Sequence, residues 1–252
     1  MGLTIHYRLQ AKGPNARKLI GALHQAAQDL PFKQLGPIVE LSGEECHYDR
    51  RQPDDPLRWL LIQAQASVSL KHLAGESEYS SIRVTPLQLI AFTTWPGEGC
   101  EEANLGLCRF PAEVTHPRHG RVKTRLSGWH WSSFCKTQYA SDPKCGGVPH
   151  FLQCHLAVIA LLDKAKELGC LHQVADESGF WQERNLAKLV SEVGSWNELV
   201  AACGGQLKDL LGDGVEMPIG DFPNFEQLEH SGQAHPGFEQ LSKLIKQVGQ
   251  KG

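Results

Sequence analysis

Gly128-Trp129-His130-Trp131-Ser132-Ser133-Phe134-Cys135-Lys136 alternates as a strand does, with Trp129 and Trp131 on one side and His130 on the other. After a turn, Lys144-Cys145-Gly146-Gly147-Val148-Pro149-His150 opens a long apolar run from about Pro149 to Leu168, which reads as a helix. On its helical wheel Cys154 and His155 flank Phe151, Val158 and Leu162, while Gln153, Asp163, Lys164 and Glu167 take the other side. Cys154 and His155 are therefore predicted to point inward. Cys170 to Ala175 then reads as a return strand, closed by Asp176-Glu177-Ser178-Gly179.

The N-terminal part repeats this order. Leu3, Ile5, Tyr7 and Leu9 alternate with Thr4, His6 and Arg8 as a half-buried strand. Beyond Gly13-Pro14, residues Ala16, Leu19, Ile20, Leu23, Ala26, Ala27 and Leu30 share one arc of a helix that Pro31 ends. Leu35 to Glu45 and Leu57 to Leu70 are predicted as strands, the latter from the alternation of Leu60, Ile62, Ala64, Ala66 and Val68. Ile82 to Trp95, bent at Pro86, and Leu105 to Phe110 follow as further strands. Residues 111 to 125 read as loop. A second amphipathic helix begins near Leu186 and is predicted to stop at Gly204-Gly205.

This succession predicts an α+β fold: a ferredoxin-like two-layer sandwich enlarged by extra strands, with a mixed, mostly antiparallel sheet and helices on one face. One domain over residues 1–213 is expected, built from two β-α-β units of about 1–112 and 113–213. Residues 214–252 are expected to form a C-terminal tail with a docked helix.

With 41% hydrophobic residues among 252, the chain has material for a sizeable core. A net charge of −3 and the lack of a basic block interleaved with aromatics argue against a nucleic-acid partner. No apolar stretch is long enough to span a bilayer, and the first residues lack the pattern of a signal peptide. A soluble, cytoplasmic protein is expected, whose eight cysteines remain reduced.

The candidate chemistry gathers near the glycine bend. Cys145, beside Lys144 and close to a helix N-terminus, is expected to favour its thiolate, with His150 as base and Asp176 or Glu177 orienting it. Backbone N–H groups at Gly146 and Gly147 are expected to face an anion. Trp129, Trp131, Lys144 and Trp181 complete the predicted ligand-binding set. The same residues have a purely structural reading, in which the glycines turn the chain and the tryptophans pack in the core. His150, Cys154 and His155 invite a metal, as does His116-x-x-His119, but neither spacing matches a known ligand motif, and no metal or other cofactor is expected.

Three functions follow in order: a module binding a small ligand or a protein, a cysteine-dependent hydrolase or transferase with an anion site at Gly146-Gly147, and a metal-dependent enzyme. Whether the chain is an enzyme, and its oligomeric state, stay open.

Overall fold

The computed structural model describes residues 3–49, 51–52, 54–70, 81–211, 222, 224–235, 238–239 and 241–243. The elements in order are β1 (Thr4–Ala11), α1 (Ala16–Gln28), β2 (Gln34–Leu35), β3 (Val39–Ser42), α2 (Arg58–Gln63), β4 (Ala66–Ser69), β5 (Ser81–Val84) and β6 (Gln88–Trp95). They continue with β7 (Ala103–Arg109), β8 (Glu113–His116), β9 (Gly120–Lys123), β10 (Trp129–Lys136), α3 (Gly147–Glu167), β11 (Leu171–Asp176), α4 (Phe180–Glu183), α5 (Leu186–Leu211) and α6 (Phe225–Gly232).

The fold is α+β, with a main sheet ordered β11-β1-β10-β7-β6-β2 and β3 also paired to β6. Every registered pairing is antiparallel. Because β10 and β11 both run against β1, Ile5 lying opposite Cys135 on one side and Asp176 on the other, they are parallel to each other and α3 is their crossover. Strand β1 thus sits inside a β-α-β unit. Helix α1 carries the chain from β1 to the far edge, where β2 and β3 pair in succession along β6.

The amphipathic stripes specify how these elements stack. Ile5 and Leu9 of β1, Phe92 of β6 and Leu105 of β7 bury against Ile20 and Leu23 of α1 and Leu161 and Leu162 of α3, all within one apolar cluster. His24 meets Phe92 edge-on with ring centroids 5.1 Å apart. Fully burying such side chains contributes about 1.5–3 kcal/mol each before entropy is counted.

Several predictions differ. Residues 82–95 are not one bent strand, since Pro86 separates β5, paired with β4 in a small sheet of its own, from β6 of the main sheet, and 35–45 divides into β2, β3 and a short 3-10 turn. Residues 57–70 form helix α2 and then strand β4, not one strand, because the run of apolar residues satisfies either period and consecutive Leu60 and Leu61 are both buried. Gln63 of α2 bonds Asn104, which shares the sheet face of its partner Thr93, opposite Phe92 and His24, so helices do not occupy one face alone. Residues 113–123, predicted as loop, make the β8–β9 hairpin, turning where His116 Nδ1 accepts from the N–H groups of Arg118 and His119. Helix α5 continues through Gly204 and Gly205, both buried where α6 packs across it, since that contact outweighs the weak helix propensity of glycine. The predicted helical stripe near the C-terminus lies largely outside the described residues.

Candidate functional site

The sheet is not continuous between β10 and β7. These strands share only the pairs Trp129–Arg109 and His130–Cys108, whereas β10 pairs β1 over eight residues and β7 pairs β6 over seven. Beyond the fork the Asn104 carbonyl accepts from side chains, the Tyr7 hydroxyl at 2.8 Å and the Trp131 indole N–H at 2.9 Å. The Asn104 carboxamide accepts from Thr93 and donates to Gln63 Oε1 at 2.9 Å, and Ser133 donates to the same oxygen at 2.7 Å. Burial, outweighing the Ser133 hydrogen bond, pushes the Tyr7 phenol far above its ordinary range, so it remains a donor. Side chains thus satisfy polar groups that a regular ladder would have paired.

The sheet face bearing His6, Arg8, Gln10, His130, Ser132 and Phe134 is turned away from α1 and α3. Three cavities lie along it. One of about 520 Å³ is lined by Arg8, Gln63, Gln65, His130, Ser132 and His172 among others. A second of about 310 Å³ shares Arg8 and Ser132 and adds His6, Phe134 and Gln173. A third of about 430 Å³ shares Phe134 and Gln63 and adds Trp59, Cys100, Glu101 and Glu102. They adjoin at these shared residues and form a segmented trough along the open face. Trp59 and Phe134, 57% and 40% exposed, are large apolar groups left open at one end. Among the described residues the Arg8 guanidinium has neither an ion-pair nor a hydrogen-bond partner.

The glycine bend is built differently from expectation. Gly146 and Gly147 both take positive φ, 114° and 70°, and their N–H groups donate to the carbonyls of Pro143 and Asp142. The N–H of Cys145 donates to the Asp142 carbonyl and that of Lys144 to the Asp142 carboxylate. The donors predicted to hold an anion are consumed by this turn, which already carries a carboxylate. Burial, Asp142 and Cys154 push the Cys145 thiol up, and Lys144 offsets only part, the reverse of the expected thiolate.

His150 does not meet Asp176 or Glu177. Its Nε2 lies 3.1 Å from the Glu98 carbonyl and 3.6 Å from Cys154 Sγ. Glu177 accepts from the Thr4 N–H at 2.9 Å. Asp176 instead joins His155 in a sealed cluster. His155 is fully buried, as the wheel predicts, with Nδ1 3.0 Å from the Thr137 hydroxyl and Nε2 3.5 Å from Asp176 Oδ2. Asp176 also accepts from Ser178 and from the Trp181 N–H. Burial pushes its carboxyl up, but His155, Ser178 and that N–H together outweigh burial and hold it below the usual range.

The remaining predicted ligand residues are dispersed. Trp131 is buried at the fork and Trp129 packs at the edge of the main cluster. Trp181 packs near the Asp176 turn, its ring 4.5 Å from the Arg184 guanidinium, which also pairs bidentately with Asp163. Sequence reasoning missed Arg8, Gln63, Ser132, Phe134 and His172. Strand alternation places Arg8 opposite the core, but nothing in the chain's order brings α2 beside it.

Comparison with protein families, curated proteins and solved structures gives no match to this chain. Among the described residues no helix is long and apolar enough to cross a membrane. Among those residues, too, no group of three His, Cys, Asp or Glu side chains is arranged to hold a metal ion.

Proposed function

We propose that the chain is a binding module whose trough on the open sheet face takes a small organic anion carrying a flat apolar group. The observation that carries this is Arg8, a permanently charged fork without a partner on the described surface, set between polar Ser132 and Gln63 and along the segmented trough from exposed Phe134 and Trp59. Guanidinium matches carboxylate or phosphate bidentately, and the two rings supply an apolar wall. His6, His130 and His172 stand on the same side. We further read the β10-α3-β11 unit around β1 as a ferredoxin-like element in an enlarged sheet. The body over residues 1–213 with an appended C-terminal segment, and a reducing, cytoplasmic setting for the eight free thiols, belong to the same reading.

The test is calorimetric titration of the reduced protein with benzoate, phenyl phosphate and, as the uncharged control, benzyl alcohol. Saturable binding of an anion that is lost in Arg8→Ala and weakened in Phe134→Ala, with benzyl alcohol inert, supports the reading. Binding that survives Arg8→Ala, or no binding of either anion, overturns it.

A further inference from the structure

The end of the trough nearest Trp59 touches a second chemical group. Helix α3 sets His150 and Cys154 one turn apart on one side, and the turn after β6 is laid directly over them. A Cβ placed on Gly97 would come 2.7 Å from His150 Cε1 and 3.1 Å from Cys154 Sγ, closer than ordinary carbon contacts, so only glycine allows this approach. The N–H of Cys100 donates back to the Gly97 carbonyl at 3.1 Å, and the Trp95 indole N–H donates to the Cys100 carbonyl at 3.2 Å. The tight turn seats the Cys100 side chain against the apolar cluster formed by Leu3, Phe151 and Cys154, on the side where Gly97 overlies the Cys154 sulfur.

The two thiols differ in access. Cys154 is fully buried, while Cys100 is partly exposed and lines the 430 Å³ cavity with Trp59, Gln63 and Phe134.

We propose that Cys100 and Cys154 are an oxidisable thiol pair that closes to a disulfide when a small hydroperoxide enters the trough at Cys100. The chemistry balances in two steps. The Cys100 thiol gives its proton to water at the cavity mouth, its sulfur attacks the terminal peroxide oxygen, and the O–O bond breaks, giving Cys100 sulfenic acid and an alkoxide that takes that proton back from water. The Cys154 sulfur then attacks the sulfenic sulfur, and water leaves as the disulfide forms. Two thiols are oxidised by two electrons and the hydroperoxide is reduced to alcohol and water. Cys145 and Cys203, also partly exposed, serve as internal controls.

This inference does not depend on the anion reading, whose titrations use reduced protein. The test treats the reduced full chain with hydrogen peroxide or tert-butyl hydroperoxide, blocks remaining thiols with N-ethylmaleimide and measures intact mass and the peptide map. Expected are loss of two hydrogens, two fewer adducts and one cross-linked peptide joining Cys100 to Cys154, all reversed by dithiothreitol. Cys100→Ser abolishes the mass loss, and Cys154→Ser leaves a dimedone-reactive sulfenic acid at Cys100. Should Cys154→Ser fail to fold, Cys100→Ser and the peptide map of the unaltered chain decide. A disulfide to Cys145 or Cys203, a mass loss that persists in Cys100→Ser, or oxidation that spares Cys100 overturns the proposal.

Discussion

Two buried polar clusters stand on the same sheet and differ in what lies beyond them. Thr137, His155, Asp176 and Ser178 are enclosed on every side, and their hydrogen bonds end within the cluster or on backbone. Tyr7, Asn104, Gln63 and Ser133 fill the fork between β7 and β10, and their outer members, Gln63 and Ser133, line cavities on the open face. Both resemble catalytic constellations in composition, and the first even contains serine, histidine and aspartate. The hydrogen bonds of the sealed set tie the end of β11 to α3. The fork cluster shapes a surface that is open to solvent.

The sharpest test of this contrast is His155→Ala, expected to destabilise the fold by about 3–5 kcal/mol because it leaves a buried carboxylate unpaired. Urea denaturation measures the loss, and under the proposed function the folded variant keeps whatever anion binding the unaltered chain shows. Acid probes the same pair. Asp176 is held below its ordinary value of 3.8, so its contribution is fully present above that value and is lost as pH falls through the lower folded value. Stability measured against pH should drop below about pH 4, and Asp176→Asn should flatten that limb. Gln63→Leu removes the acceptor shared by Asn104 and Ser133 and is expected to cost about 1–3 kcal/mol. A loss equal to that of His155→Ala would erase the distinction between sealed and open clusters. Tyr7→Phe should cost about 1 kcal/mol, since Trp131 still donates to the Asn104 carbonyl. Arg184→Ala, breaking an exposed pair with Asp163, should cost less than about 1 kcal/mol and leave binding unchanged.

How far the chain could be read depends on whether a residue's environment was local. Strand β1, helix α1 and the inward faces of Cys154 and His155 follow from period alone, because one side of each element is buried and the other is not. Residues 57–70 misled because six apolar-rich residues satisfy two periods. The Cys145 site misled for a different reason: Lys144 and the helix end were visible in order, whereas the competing Asp142 carboxylate and the hydrogen bonds that use up the glycine N–H groups depend on how the turn closes.

Hydrophobic spacing along the chain was therefore enough to establish β1, α1, α3 and their buried sides, since burial acts on each of these elements through its own repeat. Which polar residues meet was settled only by packing. Tyr7 and Asn104 lie 97 positions apart and His155 and Ser178 lie 23 apart, and no local rule links them. The crossing of α3, the fork between β7 and β10, and the seating of the turn at Gly97 on Cys154 bring those groups within hydrogen-bonding range, an interaction whose strength falls away beyond about 3.5 Å.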